Sequence, residues 1–172
     1  QSWRVWPVPE GGEFTVLAAD VGQGTAALVQ TRSHTLMFDT GPVVGASDAG
    51  RRVLVPLLRG LGVSSLDELL LSHGDADHVG GAASVLQAVK VARMRSSLDD
   101  SHPLREARDP RGHRIAQHTC VAGQSWSWDG VQFTVLHPTT DDLAQRENRS
   151  DNALSCVLQV RSRSGRVALL TG

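Results

Sequence analysis

Six residues constrain this chain more than any others: His73-Gly74-Asp75-Ala76-Asp77-His78, placed directly behind the apolar run 66–71. That run reads as a short buried strand, and the apolar spacing of 79–89 predicts a helix behind it. The cluster therefore falls on a strand-to-helix turn. Positions 73, 75 and 77 point the same way while the backbone is still extended. Imidazole and carboxylate are the usual side-chain ligands of divalent metals. A polar turn, with Asp77 capping the helix and the histidines exposed, accounts for any one of these residues. Four potential ligands so close together favour a metal site.

Two further acidic turns follow strands. A strand is expected over 14–19, then the turn Asp20-Val-Gly-Gln-Gly24, then strands over 26–30 and 35–38, with Asp39-Thr-Gly41 directly after the last. Asp20 and Asp39 are each ordinary as turn residues. Strand ends that face one pocket would bring them to the rim of the metal site. Beyond them the pattern predicts a helix over 48–61, kinked or restarted at Pro56, and a short strand over 91–94. Residues 95–118 read as a charged, loop-rich insertion with one helical turn near Leu104. The rest is strand-rich, over 119–121, 124–128, 131–136, 153–160 and 166–170, with a polar loop at 138–151. Asp129-Gly130 is a hairpin turn signal. Strand and helix alternating first, then mostly strand, suits sheets packed face to face with helices outside.

The chain is long enough for one domain with a real core, at 172 residues. A net charge of -1 excludes a module held to nucleic acid by bulk charge. No apolar stretch approaches the ~20 residues that cross a bilayer. Cys120 and Cys156 lack metal-knuckle spacing and read as two buried free thiols, although sequence leaves their pairing undecided. Residues 1–13, with two prolines, two glycines and exposed-looking tryptophans, read as an entry linker. Leu170-Thr-Gly172 reads as a strand ending where a loop should begin, as in a fragment.

With Asp39-Thr-Gly41 before it, His73-x-Asp75-x-Asp77-His78 resembles the metallo-β-lactamase superfamily, whose usual pattern is His-x-His-x-Asp-His. The series of motifs is similar to the C-terminal domain of ComEC-like DNA-internalisation competence proteins over residues 14–172. It comprises Asp20-Val-Gly-Gln-Gly24, Ser72-His-Gly-Asp-Ala-Asp-His-Val-Gly-Gly81, Cys120-Val-Ala-Gly-Gln-Ser-Trp-Ser-Trp-Asp-Gly-Val131, Leu136-His-Pro138 and Ser150-Asp-Asn-Ala-Leu-Ser155. The resemblance implies an α/β fold, an αββα sandwich, here truncated at its C-terminus. Such proteins continue Leu-Thr-Gly172 into an aspartate that bridges two metals. It further implies a metal-dependent phosphodiesterase or nuclease of a DNA-uptake channel, degrading the strand that is not transported during natural transformation. The substrate would be single-stranded DNA. The partners would be the membrane-channel portion of the same parent and other competence proteins. The parent would sit in the bacterial inner membrane, with this domain soluble on the periplasmic side. Asp75 replaces the second superfamily histidine, and an oxygen donor favours two Mn²⁺ or Mg²⁺ over Zn²⁺. Thr25 stands where an acidic residue is usual.

The resemblance also assigns roles. His73 and Asp75 hold the first metal, Asp77 and His78 the second, with Asp77 alternatively orienting or deprotonating the attacking water. Asp39 hydrogen-bonds a ligand and fixes its orientation. Asn152 and Ser155 complete or line the site, or merely cap a strand. His137 is a further ligand or a structural strand-end residue. His34, His102, His113 and His118 read as surface residues. Arg93, Arg95, Arg105 and Arg108, together with Arg111 and Arg114, steer a phosphate backbone or belong to a mixed solvated face. One of Trp126 and Trp128 stacks on a base, or both pack in the core. Two other functions stay open: a DNA-guiding or assembly module with an incomplete metal site, and a metallo-hydrolase of a different ester. Fold alone does not decide between them.

Overall fold

Strand alternation sets the layers of the computed structural model, which describes residues 6–172. Leu36 and Phe38 point one way from their strand and Met37 the other, and all three are fully buried. Strands with both faces buried need a layer on each side.

The first sheet holds β1 (Thr15–Ala18), β2 (Ala27–Gln30), β3 (Thr35–Phe38), β7 (Glu68–Leu71), β9 (Arg93–Ser96) and β10 (Ala116–Thr119), in that spatial order. The first three are antiparallel to one another, and β3, β7, β9 and β10 run parallel. The second sheet is the antiparallel meander β11 (Ser125–Trp128), β12 (Val131–His137), β13 (Val157–Arg161) and β14 (Val167–Leu170). Small pairings add β4 (Val43–Val44) with β5 (Ser47–Asp48), and β6 (Ser65–Leu66) with β8 (Lys90–Val91). Helices α1 (Val55–Gly60), α2 (Ala76–Val79) and α3 (Ala82–Ala88) follow the parallel strands, and α4 (Thr140–Ala144) lies in the loop before β13.

Two cores result. Leu28, Met37, Leu69, Leu71 and Met94 pack under Leu54, Leu58, Val85 and Leu86 of the helical layer. Val29, Leu36, Phe38 and Leu70 meet Phe133, Val135, Leu158 and Val160 between the sheets. The outer face of the second sheet exposes Leu136, Val167 and Leu169.

Several expected boundaries move. Between Asp48 and Val55 the helix is a π-turn over Gly50–Leu54, becoming α-helical at Val55. Pro56 lacks the N–H that would close an α-turn on Arg52, and the wider turn accommodates its ring. The helix expected over 79–89 starts earlier, at Ala76, and breaks at Gly80-Gly81. A Cβ on Gly80 would strike Val43 N, and one on Gly81 would strike Thr40 O, so the break lets the helix pack on the Asp39–Gly41 turn. The strand expected over 119–121 instead occupies Ala116–Thr119, parallel to β9. That expected over 153–160 starts at Val157, after a single 3₁₀ turn over Asn152–Leu154.

Cys120 and Cys156 are not free thiols. They form a disulfide with a Cα–Cα distance of 5.9 Å across a sequence separation of 36, and both are fully buried. Cys120 follows β10 and Cys156 precedes β13, so the bridge ties one sheet to the other. Closing a loop of that size stabilises the fold by about 4 kcal/mol in the chain-entropy account. Residues 1–5 of the expected linker lie outside the described residues, Trp3 among them. Trp6 packs against the helix-side core, and Gly12 donates its N–H to Asp129 O while accepting from Arg163 N.

Asp129 also joins the sheets at the far end. It takes φ +53° in the Asp129-Gly130 turn, and its carboxylate accepts from Thr31 Oγ1, Ser33 N, Ser33 Oγ and His34 Nδ1 at 2.6–3.1 Å. His34 is therefore not a free surface residue, and its ring stacks on Trp128. Burial raises the Asp129 carboxyl, but the bonds from Thr31, Ser33 and His34 outweigh it and hold the group well below the usual carboxylate range. A depressed carboxyl stabilises the fold above its unfolded value of ~3.9 and loses that contribution as pH falls below it. Asp129→Asn should therefore lower the melting temperature at pH 6 and flatten its decline between pH 5 and pH 2. An unchanged acid limb in the variant would show that these bonds do not discriminate between the charged and neutral carboxyl.

Candidate active site

The carboxyl ends of β3, β7 and β9 lie side by side, and ligand sites in sheets of this kind form outside such ends. Asp39 leaves β3, Ser72–His78 leaves β7, and Ser97 leaves β9. Asp39 adopts φ +57°, a left-handed conformation that aspartate tolerates better than most residues. It is fully buried. Its carboxylate accepts three hydrogen bonds: from Ser72 N at 2.7 Å, Ser72 Oγ at 2.6 Å and His78 Nδ1 at 2.7 Å.

That network determines which nitrogens face the site. His78 donates from Nδ1, so in the neutral ring Nε2 carries the lone pair. The bond to Asp39 raises the His78 imidazole above its usual value, against the opposing effect of burial. Ser72 gives its one hydroxyl proton to Asp39, so its oxygen can only accept from His73 Nδ1, 3.0 Å away. Ser155 Oγ stands 2.9 Å from the same nitrogen. A proton on His73 Nδ1 leaves Nε2 bare, and that buried atom has no hydrogen-bond partner. Orienting partners on the far nitrogen are the usual support of a metal-binding imidazole.

Each bare nitrogen has a carboxylate beside it. His73 Nε2 is 3.3 Å from Asp75 Oδ2, and His78 Nε2 is 3.7 Å from Asp77 Oδ2, with the two rings 4.1 Å apart. Asp75 and Asp77 are half-exposed while the histidines are nearly buried, so the four do not form one flat face. Among the described residues no group of three or more His, Cys, Asp or Glu side chains is placed to hold a metal ion. Two nitrogen–oxygen pairs fit the donor chemistry of divalent metals with positions left open.

Other expected residues fall into distinct places. Asn152 Nδ2 donates to Asp75 Oδ2 at 3.2 Å, and both Asn152 and Ser155 precede their strand rather than starting it. Asp20 is exposed and accepts from Gly22 N. The glycine turn that follows Asp20 packs on the site instead: Gly24 has φ +110°, a Cβ there would strike Asp77 O, and Thr25 N donates to that same carbonyl. His137 is not turned to the metal donors. Its Nε2 donates to Ala153 O at 2.9 Å and fastens the loop that carries Asn152.

The expected DNA contacts need correction. Arg95 is buried, with Nε 2.5 Å from Glu68 Oε1, Nη1 on Gln124 and its guanidinium over Trp126. Arg93 pairs with Glu68, Arg105 with Asp100, and Arg108 donates to Gly112 O. Arg114 pairs with Glu106. Both tryptophans pack around Phe133 between the sheets, so neither is free to stack on a base. Two residues of the site were not expected from sequence. Ser72 had only its place before His73 as a signal. Asp151 had only its place in the Ser150–Ser155 motif, and its Oδ2 would lie 2.9 Å from a Cβ on Gly74.

Comparison with known proteins gives the family and the fold. Competence protein ComA of Neisseria gonorrhoeae is 39% identical over 99% of this chain, which covers 21% of ComA. Recombination protein 2 of Haemophilus influenzae is 32% identical over 89% of this chain and 17% of its own length. The chain thus spans about a fifth of the first curated relatives it matches. Among solved structures, the subclass B3 metallo-beta-lactamase MEM-A1 from a soil metagenome superposes with a TM-score of 0.61 at 16% identity, over 99% of this chain and 64% of its own. The sequence pattern of the metallo-beta-lactamase superfamily matches residues 19–156, and the chain belongs to that superfamily.

Proposed function

We propose that this chain is the metal-dependent phosphodiesterase domain of a DNA-uptake protein, cutting single-stranded DNA that is not transported. The observation that carries the reading is the bare, buried Nε2 of His73, held toward Asp75 by Ser72 and Ser155. The names of the relatives, a competence protein and a recombination protein, support the DNA context.

His73 and Asp75 would hold one divalent metal, and Asp77 and His78 the other. Bound there, the metals supply Lewis acidity, making water nucleophilic near neutral pH and countering charge on the phosphoryl oxygens. Asp39 holds His78 in the tautomer that leaves Nε2 free, and Ser72 extends that control to His73. Asn152 restrains the Asp75 carboxylate. Asp77 is exposed enough to accept a proton from water at the mouth of the site. An oxygen-rich donor set favours Mn²⁺ over Zn²⁺. Thr171-Gly172 runs back along Ser72 and His73, because a Cβ on Gly172 would strike Ser72 Oγ.

The buried disulfide supports a location in an oxidising compartment, such as the periplasm. Among the described residues no helix is long and apolar enough to cross a membrane. Anchoring through the parent protein, with residues 1–13 as the tether, is part of the same proposal.

The test is cleavage of single-stranded DNA in Mn²⁺, comparing this chain with one extended past Gly172. We expect cleavage by the extended chain, loss in chelator, and recovery on adding Mn²⁺. An extended chain that binds metal stoichiometrically and leaves DNA intact would overturn the nuclease reading.

A further inference from the structure

Five of the six arginines expected to hold DNA have other side-chain partners, which leaves the question of where a polyanion would approach Asp77. Arg93, Arg95, Arg105, Arg114 and Arg149 are ion-paired. Arg161, Arg163 and Arg166 surround the β13–β14 turn, at the end of β13 remote from Cys156 and Ser72. Arg51, Arg52 and Arg59 are different. All three are exposed, and among the described residues none is ion-paired. Asp48 is close by, but its two oxygens accept from Arg51 N and Ser84 Oγ.

These arginines connect to the candidate site through the surface. A depression of about 610 Å³ begins at Asp77 and runs between the 20–24 turn and the β4–β5 hairpin, lined by Val21, Val43 and Val44. Val21 and Val44 also line the next depression, of about 310 Å³, whose other wall holds Arg52. A third hollow, which shares no lining residue with the second, lies between α1 and α3, with Arg51, Arg59 and Gln87 on its walls. The path is thus apolar beside Asp77 and cationic beyond it. Val43 and Val44 are among the most exposed large apolar residues described, at 56% and 37%.

We propose that a single nucleic-acid strand reaches the site along this groove, its bases on Val43 and Val44 and its phosphates on Arg52 and, beyond the groove, on Arg51 and Arg59. This rests on the substrate class proposed above and specifies the surface that binds it. A concave path that ends at Asp77 suits a flexible strand better than a flat bilayer. The bases of such a strand offer apolar faces to the exposed valines beside Asp77, and the phosphates farther along it meet the arginines.

The experiment measures anisotropy of a labelled oligothymidylate in EDTA, so that cleavage does not consume the probe. The variant is Arg51→Ala/Arg52→Ala/Arg59→Ala. The control, Arg161→Ala/Arg163→Ala/Arg166→Ala, removes equal charge from exposed arginines around the β13–β14 turn. Deleting one arginine–phosphate pairing should weaken binding about fivefold at 0.1 M salt, so the groove variant should bind ~100-fold more weakly, with a salt slope shallower by about 2. The control should change little, and matching melting temperatures would confirm that both variants fold. Equal losses in groove variant and control would overturn the groove while leaving the substrate class intact. A wild type that ignores the oligonucleotide would overturn both. Unchanged oligonucleotide binding, with loss of binding to phosphatidylglycerol vesicles, would assign the face to a membrane and overturn the proposal.

Discussion

On the proposed nuclease function, alanine at His78 should reduce Mn²⁺-dependent cleavage of single-stranded DNA by the extended chain about a thousandfold or more, the scale of several kcal/mol from a Lewis-acid metal. His78 offers a bare Nε2 beside Asp77, and its other nitrogen is fixed by Asp39 at 2.7 Å. Asp39→Asn tests the support separately. Asparagine keeps the volume, but its amide NH₂ would face a donor where Asp39 now accepts from Ser72 and His78. Loss of such support costs about 10–100-fold in metal affinity or activity. Metal content per chain should therefore fall in Asp39→Asn, with activity partly restored at high Mn²⁺. In His78→Ala, excess metal should not rescue. Wild-type cleavage by His78→Ala would remove this histidine from the reaction. Full metal content with lost activity in Asp39→Asn would make Asp39 a participant rather than a support.

The contrast between Ser72 and His73 shows what the sequence could convey. The apolar run 66–71 and the polar cluster behind it are local, and a strand followed by a helix-opening turn is what local pattern specifies. Asp39 and its left-handed turn were visible as a second strand end. That the two ends are adjacent depends on β3 pairing with β7, a contact between residues about thirty positions apart that no window of sequence contains. Ser72 gains its role only from that pairing, since its hydroxyl matters because Asp39 stands opposite. The cysteines pose the same problem over a longer span. Arg95 is the clearest failure. Arg93-Met94-Arg95 alternates on β9, and the sequence tells that Met94 and Arg95 face opposite ways without telling that both faces are covered. Charge was read as exposure, and the fold supplied a buried partner instead.

That partner makes a second large effect measurable. Glu68 and Arg95 lie between the sheets, Glu68 fully buried, joined at 2.5 Å and capped by Trp126 and Gln124. Burial raises the Glu68 carboxyl, and Arg95 and then Arg93 pull it down again, with burial prevailing. Removing one member of a buried pair typically costs 3–5 kcal/mol, because the other charge stays behind without compensation. Arg95→Met should therefore lower the melting temperature by roughly 10 °C at pH 7 in a chain of this size. The sign of the pH dependence follows from the raised carboxyl. The folded chain binds this proton more tightly than the unfolded chain, so acidification relieves the penalty. The deficit of Arg95→Met should shrink as pH falls, opposite in direction to the acid loss expected from Asp129. Glu68→Leu/Arg95→Met removes both charges and should recover most of the lost stability, since an apolar pair of similar volume is often neutral or better at such a site. A double variant as unstable as Arg95→Met would mean that the contacts with Trp126 and Gln124, rather than an abandoned charge, explain why the arginine is kept there.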